Sequence, residues 1–114
     1  MSGARMRRVD VAMRQVLGDA LAQDLKDPRI GFVTVTDVKT SPDLRHARVY
    51  VSVLGTDPEQ EATLEGLRSA HGFLQTRVAS ELRLKRTPEL TFELDHTAEN
   101  AARLERLIEE AGGA

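Results

Sequence analysis

The chain opens on a stripe of apolar residues at helical spacing. Over residues 7–25 apolar side chains recur every three or four positions, and arginine and glutamine fall largely between them. Asp27-Pro28 interrupts this spacing, because the residue before a proline is pushed out of the α region. The pattern predicts an amphipathic helix over residues 7–25. Its expected buried stripe is Val9, Met13, Val16, Leu17, Ala20, Leu21 and Leu25.

Two runs with a two-residue period follow. Residues 31–38 and 47–53 alternate apolar with polar side chains, and both runs are rich in valine. The Thr-Ser-Pro-Asp sequence at residues 40–43 is typical of a turn between them. Each predicted strand therefore has one apolar and one polar face, which suits a sheet that helices cover on one side only.

The second half of the chain predicts a bent pair of helices, a strand and a last helix. Residues 59–70 and 73–84 have helical spacing on either side of Ala70-His71-Gly72, where a glycine costs about 1 kcal/mol relative to alanine. Two helices with a bend therefore explain this region better than one straight helix. Residues 89–94 alternate strictly, and a last apolar stripe follows Thr97. That stripe contains Ala101, Leu104, Leu107 and Ile108.

These elements predict an α+β fold in the order α-β-β-α-α-β-α. A three-stranded sheet with helices packed on one face would cover every apolar stripe. Phe73 and Phe92 lie on such stripes and are expected in the core. With 114 residues the chain is expected to be a single domain over residues 1–114, with residues 1–6 and 111–114 as frayed ends.

Composition narrows the functional classes. Cysteine is absent, which excludes disulfides, thiolate metal sites and a cysteine nucleophile. The three histidines show no metal-binding spacing, and no glycine-rich nucleotide loop is present, so no metal or cofactor is expected. No apolar run reaches the ~20 residues of a membrane span, and the start of the chain lacks a secretory signal. We therefore expect a cytoplasmic protein that binds no membrane.

Charge is segregated along the chain, although the net charge is only -2. Residues 53–67 hold four acids and no base, whereas residues 68–88 hold five bases and one acid. A polyanion feels the local patch more than the distant total, since the screening length is about 8 Å. The basic stretch therefore predicts contact with phosphates, and a solvated helix face with an ion pair to Glu81 is the alternative. Its candidate contacts are Arg77, Arg83, Lys85 and Arg86.

Other basic residues are secondary candidates. Arg5, Arg7 and Arg8 precede the first apolar stripe, either as an arm that reaches RNA or as a solubilising terminus. A further group borders the predicted sheet, and for Arg48 a cross-strand structural role is equally open. This group is Arg29, Lys39, Arg45 and Arg48.

The order of elements resembles the second type of KH domain, a nucleic-acid-binding module. KH domains clamp a nucleic-acid backbone with a GXXG loop between two helices, and Ala70-His71-Gly72 stands at that place here. Because an Ala-x-Gly bend replaces the loop, the chain resembles the ribosome-binding factor A family from about Arg8 to Ile108. Gln75, Ser80 and Glu81 occupy positions where that family is usually more basic. The best-matching runs are KDPRIGFVTVT from Lys26, SPDL from Ser41, ARVYVSVLG from Ala47, SAHGFL from Ser69 and PELTF from Pro88.

The resemblance implies a type II KH-like fold and binding to the free 30S small ribosomal subunit and its 16S rRNA. It implies a role in late maturation, including processing of the 5′ end of the rRNA, without enzymatic activity, small-molecule substrate or cofactor. A monomer is expected. The implied RNA-binding residues are the bend together with selected basic residues. They are Ala70, His71, Gly72, Arg77, Arg83, Lys85, Arg86, Arg8 and Arg45.

Two other functions remain open on the sequence alone. The chain could be a protein–protein interaction module that uses a strand edge and the acidic helix over residues 57–65. It could also be a small enzyme in which His71 works with a nearby acid. A steep dependence of binding on salt would favour RNA over the interaction module. Turnover that is lost in His71→Ala with RNA binding intact would favour the enzyme.

Overall fold

A computed structural model describes residues 3–23 and 27–112, and within the last helix it describes no side chains for residues 98–103. The observed order confirms the predicted α-β-β-α-α-β-α fold. The elements are α1 (Gly3–Gln23), β1 (Val33–Thr40), β2 (His46–Val53), α2 (Asp57–Ser69), α3 (His71–Leu82), β3 (Glu89–Leu94) and α4 (Thr97–Gly112).

The first helix begins earlier than the apolar stripe suggests. It starts at Gly3, so Arg5 also lies within the helix, together with Arg7 and Arg8. Met13 and Leu17 have no exposed surface, which confirms the centre of the predicted stripe. Leu25, the last residue of that stripe, lies outside the described residues.

The sheet is mixed, with strand order β1-β2-β3. β1 runs antiparallel to β2, and β3 runs parallel to β2. Strict alternation holds in β2, where Ala47, Val49 and Val51 have 0% exposure. In β1 a bulge between Val35 and Asp37 inserts an extra residue and shifts the alternation, so that Val38 is the next buried position.

Three helices cover the apolar face of this sheet. α1 packs on β1 and against α3, while α2 and α3 both contact β3. Leu67, Leu74 and Val78 supply fully buried side chains from the helix layer, as the helical spacing predicts. Phe92 is buried as expected, but Phe73 is 44% exposed, so its predicted place in the core is wrong.

α2 begins with a capping box. The Thr56 hydroxyl accepts a hydrogen bond from the Glu59 amide at 3.3 Å, and the Glu59 carboxylate accepts one from the Thr56 amide at 3.1 Å. These bonds from Thr56 lower the pKa of Glu59 below its usual value. One carboxylate of the acidic stretch therefore stabilises the start of its own helix.

α4 leaves the helix layer. Leu104, Leu107 and Ile108 are 56–61% exposed, so the expectation that the sheet's helices would cover every apolar stripe is wrong here. The side chain of Ala101, also on that stripe, is outside the described part of the chain. Asp95 ties the start of α4 to the β1 bulge: its carboxylate accepts hydrogen bonds from the Thr36 hydroxyl at 2.6 Å and the Thr97 amide at 2.9 Å. Those bonds lower the pKa of Asp95 to about 2.

Gly66 sits where α2 packs against the loop before β1. A Cβ at this position would lie 2.7 Å from Cγ1 of Ile30 and 3.5 Å from Cβ of Arg29. Gly18 in α1 differs, because a Cβ there would meet nothing within 4 Å. Both glycines are in helix interiors, so alanine should gain helix propensity at either position. Only at Gly66 must its Cβ also overcome a packing clash.

Replacing Gly66 with alanine is expected to destabilise the fold. Overpacking costs about 1–3 kcal/mol and the gain in helix propensity offsets about 1 kcal/mol, so the free energy of unfolding should fall by up to about 2 kcal/mol. The control Gly18→Ala should raise it by up to about 1 kcal/mol. Urea unfolding followed by circular dichroism measures both. Equal gains in the two variants would contradict the packing at Gly66.

Candidate nucleic-acid interface

The bend between α2 and α3 consists of one residue. Ala70 has φ -86° and ψ 7° and separates the two helices. Its amide donates to the Gly66 carbonyl at 3.0 Å, and its carbonyl accepts from the Leu74 amide at 3.0 Å. Helical hydrogen bonding therefore continues on both sides of the bend. The predicted interruption is confirmed at Ala70, while His71 and Gly72 already belong to α3.

Gly72 leaves the backbone open at the start of α3. The residue is exposed, and a Cβ at this position would meet nothing within 4 Å. No side chain caps this helix start. The absence of a side chain at Gly72 therefore serves no packing need and allows a large anion to approach the positive end of the helix closely.

His71 lies beside an acid. Its side chain is 34% exposed, and Nε2 is 3.5 Å from a carboxylate oxygen of Glu89 at the start of β3. His71 borders a groove of about 380 Å³ between the bend and β3, on which Arg68 also lies. Arg68 in turn pairs with Glu61 at 3.7 Å. A carboxylate thus lies beside each of the two basic side chains nearest to the bend.

Arg77 takes part in the ion pair that the sequence offered as an alternative to RNA contact. Its guanidinium lies 2.9 Å from the carboxylate of Glu81, one helical turn away. Arg83, Lys85 and Arg86 differ, because all three are exposed and no carboxylate among the described residues forms an ion pair with them. Within the basic stretch of residues 68–88, these three cations without an ion pair therefore follow α3 in the sequence and do not lie on it.

Arg83 turns the chain out of α3. It has φ 49° and ψ 40°, the left-handed conformation that glycine adopts most easily, and its amide bonds to the Ala79 carbonyl at 3.3 Å. Residues 83–88 then cross to the start of β3. This conformation ends the helix and leaves the Arg83 side chain in solvent.

Gln75 fixes where that connecting segment ends. Its side-chain nitrogen donates to the Pro88 carbonyl at 2.5 Å, and its side-chain oxygen accepts from the Leu90 amide at 3.3 Å. The sequence showed this residue only as a departure from the family's basic pattern. One sequence feature could have indicated this role. Gln75 follows Leu74, which is buried, and its amide can donate and accept hydrogen bonds at the same time.

Basic residues from separate parts of the chain meet at this end of the molecule. Arg5 and Arg8 of α1 line a groove of about 370 Å³ together with Leu82 and Leu84, the two neighbours of Arg83. The Arg45 carbonyl accepts a hydrogen bond from the Glu89 amide at 2.8 Å, which places the β1–β2 turn next to the end of segment 83–88. We call this surface the basic end. It comprises Arg5, Arg8, Arg45, Arg83, Lys85 and Arg86.

The predicted site residues therefore fall into two groups. α3 contains 12 residues, so at about 1.5 Å per residue its start at the bend and its end at Arg83 are about 18 Å apart. Segment 83–88 then runs back to Glu89, whose carboxylate is 3.5 Å from His71. Ala70, His71 and Gly72 form one group, and Arg77 lies between the two. A ligand that contacts both Gly72 and Arg83 must therefore be extended.

Comparison with known proteins identifies the family. The family model for ribosome-binding factor A matches residues 5–108. The chain belongs to the ribosome-binding factor A family. A solution NMR structure of a Thermotoga maritima ribosome-binding factor A is 41% identical with a TM-score of 0.73, covering 82% of this chain and 89% of that one. The crystal structure of ribosome-binding factor A from Thermus thermophilus is 28% identical with a TM-score of 0.70, covering 78% and 94%.

A third similar structure has been placed on a ribosomal subunit. It is a homology model of the Thermus thermophilus ribosome-binding factor A, fitted into a cryo-EM map of a 30S complex of that factor. It is 29% identical to this chain with a TM-score of 0.64, and the match covers 75% of this chain and 90% of that one.

Over residues 3–23 and 27–112, no helix is long and apolar enough to cross a membrane. Within that same part of the chain, no three side chains of histidine, cysteine, aspartate or glutamate converge as a metal site would require.

Removal of the Gln75 side chain is expected to loosen the attachment of β3. Gln75→Ala leaves two backbone groups at the buried start of β3 without partners, which should lower the free energy of unfolding by about 1–3 kcal/mol. Ser80→Ala is the matched control on α3, because Ser80 bonds only to the Arg77 carbonyl of its own helix and is exposed. It should change stability by less than about 0.5 kcal/mol in the same urea titration. Equal effects of the two changes would show that Gln75 does not hold this segment.

Proposed function

We propose that this chain is a ribosome-binding factor that binds the free 30S small subunit and its 16S rRNA during late maturation. It acts in the cytoplasm as a monomeric single domain over residues 1–114, supports folding of the rRNA and processing of its 5′ end, and catalyses no reaction. Membership of the family supports ribosome binding. The single observation that carries the rest is the basic end, where six cationic residues from three parts of the chain meet on an acidic protein.

Phosphate contact explains why this end suits RNA. Each phosphate neutralised by lysine or arginine releases condensed counterions, and this release supplies most of the affinity. Arg83, Lys85 and Arg86 enter no described ion pair, so no carboxylate must be displaced before they bind. The open backbone at Gly72 adds a second point of close approach about 18 Å from Arg83. The two contacts fit an extended strand of RNA and not a compact anion.

Binding alone, without catalysis, is sufficient to support folding of the rRNA. A protein that binds one arrangement of the rRNA more tightly than another shifts the population toward it by that difference in affinity. Bound to the immature subunit, the factor would hold the productive arrangement and block early entry into translation. Release follows once the favoured arrangement is complete or another factor displaces it.

The alternative functions have weaker support. An interaction module would use the acidic residues of α2, but the Glu59 carboxylate is engaged in the helix cap and Glu61 pairs with Arg68. An enzyme would use the pair formed by His71 and Glu89, and family membership favours binding over catalysis for it. RNA binding uses the cations that the structure leaves exposed, and we favour it for that reason.

Neutralising the basic end is expected to weaken binding to small subunits and flatten its salt dependence. Arg83→Gly, Lys85→Ser and Arg86→Ser together remove three phosphate contacts, so the slope of log K against log salt should fall by about 2. The fold should survive, because glycine relieves the left-handed conformation at position 83 and stabilises it by up to about 1 kcal/mol. Co-sedimentation with free small subunits over a salt series measures the binding.

Arg106→Ala provides the control, since it removes one exposed charge from α4, far along the chain from the basic end. It should leave the slope unchanged. An unchanged slope in the triple variant would remove the basic end from the site. Failure of the unaltered protein to associate with subunits at low salt would reject the proposed function.

A further inference from the structure

The sheet face away from the helices carries a row of cationic and polar side chains. Val38 and Val49 point into the core, so their neighbours Lys39 and Arg48 point outward. Lys39 lies opposite Arg48 in the β1–β2 register, and Arg48 lies opposite Thr91 in the β2–β3 register. The three side chains therefore form one row across the whole sheet.

This row borders a concave surface next to the β1–β2 turn. The cavity has a volume of about 410 Å³ and no apolar residue among its lining residues. Two side chains are cationic, and Thr91 is exposed and carries a hydroxyl. The Thr40 hydroxyl is buried, and Ser41 donates its hydroxyl to Asp43. The lining residues are Lys39, Thr40, Ser41, His46, Arg48 and Thr91.

Lys39 is available for a ligand. No carboxylate among the described residues forms an ion pair with it, and its ammonium group lies 6.0 Å from the centre of the Tyr50 ring. Arg48 has two neighbours, the Glu93 carboxylate at 3.6 Å and the Tyr50 hydroxyl at 3.3 Å. Both members of the Arg48–Glu93 pair are at least half exposed, so the pair stabilises the fold little and can be exchanged for a phosphate.

The acids near this surface are largely engaged elsewhere. Glu89 lies beside His71, and Asp43 accepts hydrogen bonds from the Ser41 hydroxyl at 2.6 Å and the Arg45 amide at 3.0 Å. Asp37 accepts a hydrogen bond from the Val38 amide at 2.9 Å. Glu93 is therefore the one described carboxylate that pairs with a cation of the row.

We propose that this concave end of the open sheet face is a second RNA-binding surface, which holds backbone phosphates between Lys39 and Arg48. The inference rests on the proposed function and deepens it, because it extends the contact beyond the basic end. Arg45 joins the two surfaces: its turn leads directly into β2, and its carbonyl bonds to the start of β3. An RNA strand on the basic end can continue around this edge onto the sheet.

The lining favours a phosphodiester backbone over an acidic protein. Protein interfaces are anchored by aromatic or aliphatic side chains in desolvated pockets, and this cavity offers none. Arginine, lysine and hydroxyl groups are the donors that bind phosphate oxygens. The open face therefore reads backbone and shape more than base sequence.

The test compares two double variants of the full chain, with small subunits and a small-subunit rRNA transcript as the probes. Lys39→Thr with Arg48→Thr removes both cations and keeps residues that suit a strand. Lys39→Arg with Arg48→Lys exchanges the residues and keeps both charges. Thermal unfolding checks that both proteins fold, and affinity is measured over a salt series.

Loss of two phosphate contacts should lower the log–log salt slope by about 1.5, which corresponds to roughly 30-fold weaker binding at 0.1 M salt relative to the 1 M extrapolation. The charge-preserving variant should keep the slope of the unaltered protein. Unchanged affinity and slope in the threonine variant would overturn the inference. Weaker binding to subunits with unchanged binding to the transcript would also overturn it, because that result would indicate a ribosomal protein as the partner. In both cases the unaltered protein still binds subunits, so the proposed function stands; only failure of that binding rejects it.

Discussion

One-sided burial of the sheet is the constraint on which the rest of the structure depends. Val49 and Val51 of the central strand have no exposed surface, because α1, α2 and α3 together cover that face. The hydrophobic effect thus fixes the positions of the three strands and leaves the opposite face to polar residues. Parallel pairing of β3 with β2 then places the start of β3 beside the β1–β2 turn, where Arg45 meets segment 83–88.

Much of this arrangement is predictable from local patterns. β2 and β3 follow strict alternation, and a strand buried on one face has no other register that keeps its valines inside. The approximate place of the bend is predictable as well, because His71-Gly72 interrupts the apolar spacing there; the bend itself falls at Ala70, and Gly72 lies inside α3. These features depend on neighbours within a few residues, and such neighbours are visible in a sequence.

The remaining features depend on contacts between distant residues. The bulge at Thr36 is tied to Asp95, 59 positions away, and Gln75 reaches across to Pro88 and Leu90. The distribution of charge along the sequence likewise does not show that Arg8 lies near segment 83–88, because packing of α1 on α3 brings them together. The exposed apolar stripe of α4 is a further case. Amphipathic spacing correctly predicts a helix there but does not determine which element covers its apolar face.

Amide hydrogen exchange in the bound and free protein tests the central claim most directly. If RNA lies along the basic end, adding small-subunit rRNA should slow exchange in residues 41–45 and 83–88 and at the start of α3, while α4 stays unchanged. Slower exchange confined to α2 and α4, with residues 83–88 unaffected, would contradict the claim that exposed cations at this end form the docking surface.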